Sequence, residues 1–320
     1  MRVARMKVVG KSAYYHIMNR VAGPKDYYPF DDVSKEKAFH FLEEVLAFYR
    51  HEVISFTMMG NHYHLIVYAP IDLLDPIQTS KRHNDYYQGR VAELNPNQIE
   101  RCKKVASKMI NISELMKAFQ QKLAVWYNRT HNRRGPLWAD RFKHTILEGK
   151  DFNSALWICT KYCELNPVRA GLTDHPSNYR FCSWGKYKGK GKHPFEATFI
   201  KHMRKAFGER AKSWSKKKLF REFDVELART IAYEKGENSA LIKAAMADAR
   251  AGDRMKVQFL RKSRYWSQGL AIGTKTFVIE KMSPYYDSDY LAKKLTNRYS
   301  ADYSGPNKIK DLFSFRRFLN

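Results

Sequence analysis

The stretch Met59-Gly60-Asn61-His62-Tyr63-His64-Leu65-Ile66-Val67 restricts the fold more than any other part of the chain. After a Gly-Asn turn signal it is dominated by β-branched and aromatic residues, the composition of a β-strand. Strand side chains alternate with period two, so His62 and His64 share one face and Tyr63 takes the other. Two imidazoles side by side on a rigid strand make a platform for a divalent metal. Two protein ligands do not complete a coordination shell, so such a site needs groups from other parts of the chain. The same spacing also fits one packed and one surface histidine.

A strand of this kind needs partners, and the flanking sequence supplies them. Ala13 to Arg20, AYYHIMNR, reads as a first strand with Tyr14, His16 and Met18 on one face. Asp31 or Ser34 can cap a helix over about 35–50, and residues 52–58 form a strand that pairs with the histidine strand across Gly60-Asn61. Residues 71–110 are polar, carry the turn signals Asp75-Pro76 and Asn95-Pro96, and read as an insertion. Ile112, Leu115, Met116, Phe119, Leu123 and Trp126 recur at helical spacing and predict an amphipathic helix over 111–129. A basic turn at 131–136 leads into LWADRFKHTIL at 137–147. Asp151 is placed to cap a helix over 152–165 that Pro167 ends. Tyr162 and Asn166, four apart, point together there; taken alone, they favour ordinary packing for the tyrosine and a C-cap for the asparagine. The Gly/Lys-rich run 183–194 reads as a linker, and helical patterns follow near 216–234, 238–250 and 254–263.

Charge narrows the partner. The 320 residues carry 58 Lys+Arg against 32 Asp+Glu, a net +26, divided as +12 over 1–200 and +14 over 201–320. A field of this sign attracts polyanions, of which nucleic acid is the commonest inside a cell. Twenty Tyr, 19 Phe and 6 Trp offer stacking surfaces for unpaired bases. No apolar run reaches the ~20 residues of a membrane span. Cys102, Cys159, Cys163 and Cys182 are too few for a secreted disulfide scaffold. The expectation is a cytoplasmic, nucleoid-associated protein of bacterial type, with no membrane partner.

These residues together resemble the single-tyrosine transposases of the HUH (His-hydrophobe-His) nuclease superfamily, in particular the REP-associated tyrosine transposases and insertion-sequence transposases. The matching pieces are YHIMNR at 15–20, GNHYHLIV at 60–67, RRGPLWADRFK at 133–143 and YCELNPVRAGL at 162–172, in that order over about residues 10–185. RYWSQGLAIGTKTFV at 264–278 resembles an extension of longer members. The resemblance implies that His62 and His64 bind a metal, that Tyr162 is the nucleophile, and that Asn166 is a third, metal-assisting group. It implies an α+β fold: a ferredoxin-like (RRM-like) antiparallel sheet, the histidine strand central, with helices packed on one face. A catalytic domain would span 1–185 with its insertion at 71–110, a basic linker region 186–218, and a basic, mostly helical C-terminal region 219–320.

The implied activity is that of a metal-dependent single-stranded DNA endonuclease and strand transferase acting on single-stranded or hairpin DNA. Rejoining a cut strand without ATP requires that the phosphodiester energy be kept, and a phosphotyrosine ester keeps it. A free phenol, with a pKa of about 10, is a poor nucleophile at neutral pH. Mg²⁺ or Mn²⁺ on His62, His64 and Asn166 would polarise the phosphate and stabilise the leaving oxygen. Arg20, Arg141, Lys143 and Arg169 are candidate phosphate contacts. Three rivals stay open: a non-catalytic nucleic-acid-binding protein, a hydrolase that uses water in place of Tyr162, and an RNA substrate. Monomer and homodimer are both compatible with the sequence.

Overall fold

Alternating apolar positions in three short segments build the centre of a sheet, and the rest of the chain is arranged on its two faces. A computed structural model describes residues 6–8, 10–24, 26–149, 154–235, 266, 269–297 and 313–316. The chain runs β1 (Ala13–Arg20), α1 (Asp32–Leu46), β2 (Glu52–Met58), β3 (His62–Ala69), α2 (Pro76–Tyr87), α3 (Ile99–Met109), α4 (Ile112–Thr130) and β4 (Lys143–Leu147). It continues through α5 (Ala155–Arg169), α6 (Ser183–Lys190), α7 (Glu196–Phe207) and α8 (Lys216–Lys235). Then come β5 (Gly269–Gly273), α9 (Lys275–Met282), α10 (Ser288–Asn297) and β6 (Phe313–Arg316). The fold is α+β.

The six described strands form one sheet in the order β2-β3-β1-β4-β5-β6. Its first four strands have the β-α-β-β-α-β order of a ferredoxin-like unit, with α1 and α4 as the two connecting helices. β1 is antiparallel to β3 and β4, and β2 to β3, so β3 lies inside the sheet as expected. β5 joins β4 in parallel register, Ile146 opposite Ala271, which makes the sheet mixed.

Helices cover both faces, where the sequence suggests one. Tyr63, Leu65 and Val67 of β3 share a face with Ile17 of β1 and Phe56 of β2. On that side Phe39 of α1 meets Phe56 at 4.7 Å between ring centroids, and Phe119 of α4 meets Tyr63 at 5.5 Å. Burial of an aliphatic or aromatic side chain of this size contributes about 1.5–3 kcal/mol. α5 packs on the opposite face: Ser55 and Thr57 of β2 reach it with hydrogen bonds to Glu164 and to the Cys163 carbonyl.

Several local expectations change. α5 begins at Ala155, is capped by the side chain of Ser154 and runs through Pro167 to Arg169; the expected cap Asp151 lies outside the described residues. The segment 183–194 contains a helix, because Trp184 is fully buried and Gly185 lies against the Tyr179 backbone, where a Cβ would meet the carbonyl oxygen at 1.9 Å. α7 likewise buries Phe199, Met203 and Phe207 within the expected linker. The insertion holds two helices. Asp75 caps α2, with Pro76 in its first turn, and Arg82 donates to the carbonyls of Leu46, Phe48 and Tyr49 at the end of α1. The helical patterns at 238–250 and 254–263 lie outside the described residues.

Candidate active site

Strand register places His62 beside Arg20, and His64 between Thr57 of β2 and Met18 of β1, with Lys143 of β4 next in the same row. These side chains therefore share one face. The His62 and His64 rings are 5.1 Å apart and nearly perpendicular. His16, one pleat further along β1, meets His64 edge to edge, with centroids 5.1 Å apart and ring planes 10° from parallel. Its Nε2 lies 2.9 Å from His64 Nδ1, and its Nδ1 lies 3.1 Å from the Trp266 carbonyl oxygen.

α5 brings the tyrosine to this face. Pro167 has no N–H, so the Cys163 carbonyl four residues earlier loses its helical donor. Thr57 Oγ1 takes that carbonyl at 2.9 Å, and Asn166 Nδ2 approaches it at 3.4 Å. One residue on, buried Glu164 accepts from Ser55 Oγ at 2.6 Å and from the Trp184 N–H at 3.0 Å. Its burial pushes the carboxyl up to about 7. These bonds tie α5 to β2 and aim Tyr162 at the histidines. The Tyr162 ring is 5.4 Å from His64, edge-on, and 5.9 Å from His16. Trp266 stacks on the ring at 5.6 Å and 28°, and the Arg169 guanidinium stands 5.0 Å from the ring centroid. Tyr162 is 3% exposed. Burial raises its pKa above that of an ordinary phenol, and Arg169 acts in the opposite direction.

The histidines are held neutral. Burial lowers His16 to about 4; burial and then Arg20 lower His62 to about 4. Burial, followed by the neighbouring His62, His16 and Arg169, sets His64 well below the ordinary imidazole value. A neutral imidazole offers a lone pair to a metal without first releasing a proton. Among the described residues, His16, His64 and Cys163 form a buried group whose ligand atoms lie within 4.8 Å of one another, a set that could bind a metal. The Cys163 thiol is pushed far up by burial, so its use as a thiolate ligand carries a large proton-release cost. The set suggested by the sequence, His62, His64 and Asn166, shares only His64 with that trio. Asn166 turns its Nδ2 back to the Tyr162 carbonyl at 2.7 Å, so only its amide oxygen could serve as a ligand. Two neutral imidazoles and an amide oxygen suit Mn²⁺ or Mg²⁺ better than a thiol-containing set does.

The candidate phosphate contacts differ in placement. Arg20 stands beside His62, with Nη2 bonded to the Pro24 carbonyl and Nε buried without a hydrogen-bond partner. Lys143 is exposed on the histidine face, and Arg141 is exposed in the loop just before it. Arg169 lies against Tyr162, its Nη1 3.4 Å from the Tyr162 carbonyl. Three groups at the centre of the site, His16, Cys163 and Trp266, are not among the sequence-predicted site residues. His16 was visible on the inner face of the first strand; the β1–β3 register was the missing information.

No family model and no curated protein matches the chain. One similar solved structure is a REP-associated tyrosine transposase bound to a REP hairpin, at 13% identity and a TM-score of 0.38, covering 61% of this chain and 90% of that one. No helix among the described residues is long and apolar enough to cross a membrane.

Proposed function

We propose that this chain cuts and rejoins single-stranded DNA through a covalent phosphotyrosine on Tyr162, assisted by a divalent metal held by His62, His64 and Asn166. The observation that carries the reading is the placement of the Tyr162 ring 5.4 Å from His64, on a helix tied to the strand that neighbours the histidine strand. Tyr162 Oη bonds to phosphorus and loses its proton while the bond to the 3′-oxygen breaks; that oxygen takes up a proton and leaves as a 3′-hydroxyl. The 5′-phosphate stays on the enzyme. A second 3′-hydroxyl then attacks it and restores the phenol, so one ester is exchanged for another in each step. The metal, when bound, supplies positive charge to the non-bridging phosphate oxygens. Arg20 and Lys143 flank the histidines and hold the strand by its phosphates, with Arg141 just outside and Arg169 beside the nucleophile. The basic C-terminal region would grip a structured DNA end.

A second reading draws on one observation. Tyr162 is almost fully buried under Trp266, a setting that also suits a non-catalytic DNA-binding protein whose tyrosine is core. A denaturing gel separates the two. The protein is mixed with Mg²⁺ or Mn²⁺ and labelled single strands from the DNA flanking its own gene. A label that moves to protein size, disappears with EDTA and is absent in Tyr162→Phe supports the transferase. Cleavage that survives Tyr162→Phe without an adduct indicates a water-using hydrolase. Tight, salt-sensitive binding without cleavage on any strand supports the binding protein.

A further inference from the structure

The hydrogen bonds around the two central histidines determine where their protons sit. A carbonyl oxygen only accepts. Because the Trp266 carbonyl faces His16 Nδ1 at 3.1 Å, that nitrogen carries a hydrogen. His16 is wholly buried, and its two ring nitrogens face a carbonyl and an imidazole rather than a carboxylate that could offset a charge, so the ring carries a single hydrogen and its Nε2 bears the lone pair. This Nε2 lies 2.9 Å from His64 Nδ1. The hydrogen between them therefore belongs to His64 Nδ1, and the lone pair of neutral His64 is left on Nε2. His62 follows the same pattern, with Nδ1 2.7 Å from Asn61 Oδ1 and its lone pair on Nε2.

We infer that His16 is a positioning residue: it anchors on the Trp266 carbonyl, fixes His64 as the Nδ1–H tautomer, and leaves Nε2 of both His62 and His64 to face a divalent metal. His16 is then not itself a ligand. Ligating histidines commonly donate their second ring N–H to a fixed acceptor, which sets both tautomer and ring direction. Here that acceptor is another imidazole, joined edge to edge with its plane only 10° from that of the ring it orients. The arrangement also decides between the two candidate metal sets. For His16 Nε2 to ligate beside Cys163, the bond to His64 must break and the buried His64 Nδ1–H loses its acceptor. The inference rests on the metal role proposed above for His62 and His64, but its test needs no DNA.

The first measurement is a long-range ¹H–¹⁵N spectrum of the metal-free full chain with ¹⁵N-histidine at pH 7, assigned by comparison with His16→Gln and His64→Gln. Nδ1–H signals with unprotonated Nε2 for both His16 and His64 are expected. An Nε2–H on either, or a doubly protonated His16, overturns the inference. The second measurement is Mn²⁺ affinity. Gln at position 16 can accept from His64 through its oxygen and donate to Trp266 through its nitrogen, whereas Phe can do neither. His16→Gln should bind Mn²⁺ within about 3-fold of wild type, and His16→Phe about 10–100-fold more weakly. Equal losses in both variants make His16 a ligand, and unchanged binding in both removes its positioning role; either result overturns the inference. A wild-type chain with the expected tautomers that takes up no Mn²⁺ defeats the metal reading and leaves the hydrogen-bond chain intact.

Discussion

The two faces of the same three strands are built from opposite materials. On one face Tyr63, Leu65, Phe56 and Ile17 meet Phe39 and Phe119, and all six are buried. On the other, buried His16 and His64 bond to one another, and buried Ser55 and Thr57 donate to Glu164 and to the Cys163 carbonyl of α5. Apolar burial is non-directional and tolerates small shifts. Buried polar groups are stabilising only when every donor finds its acceptor, and they then hold one geometry. The first face gives the sheet its stability, and the second trades part of that stability for defined positions of ring nitrogens and a phenol.

The largest effect that sharpens this contrast is on the polar face. Tyr162→Phe should reduce the covalent adduct below detection while thermal stability stays within about 1 kcal/mol, since only the hydroxyl is removed and the ring stack on Trp266 persists. Adduct gels beside thermal melts measure both. On the apolar face, Phe119→Ala should cost about 3–5 kcal/mol by leaving a cavity between Phe56 and Tyr63. In the fraction still folded at low temperature, adduct formation should match wild type; a proportionate loss there would show that the faces do not separate.

A smaller effect comes from protons. His51 and His193 are buried away from the site, and burial lowers each to about 3. The unfolded chain binds protons at these rings below about pH 6.5 while the folded chain does not. Their contribution to stability is therefore complete above pH 6.5 and declines as pH falls toward 3, by up to about 1.4 kcal/mol per pH unit for each ring. His51→Leu should flatten that acid slope in denaturant melts taken between pH 7 and pH 4. The smallest change concerns charge at the rim. Lys143→Ala should weaken single-strand binding by a few-fold and lower the slope of log K against log salt by about 0.7, the share of one phosphate contact. An unchanged slope would remove Lys143 from the interface.

Much of this arrangement was legible in the sequence, for reasons that also explain the gaps. Period-two alternation located β1, β2 and β3 and put His62 and His64 on one face, and a clean apolar stripe located α4. Which strands lie side by side is a non-local property, so the contact between His16 and His64 could not be read from spacing. Punctuation residues misled where they serve packing. Gly185 reads as a flexible link but permits close approach of α6 to Tyr179, and Asp75-Pro76 reads as a turn but starts a helix. β5 is a five-residue run, GLAIG, too short to show a period, and its strand character comes from pairing with β4 and β6.

The bond between His16 and Trp266 spans 250 positions of sequence. At a synthesis rate of about 5–20 residues per second, roughly 10–50 s separate the emergence of the two residues from a ribosome. During that interval His16 and the histidine strand are already made, while the carbonyl that orients them and the indole that stacks on Tyr162 do not yet exist. The centre is therefore assembled in order of translation, strands first and the Trp266 wall last, so that a half-made chain on its ribosome carries the histidines and the tyrosine without a finished site.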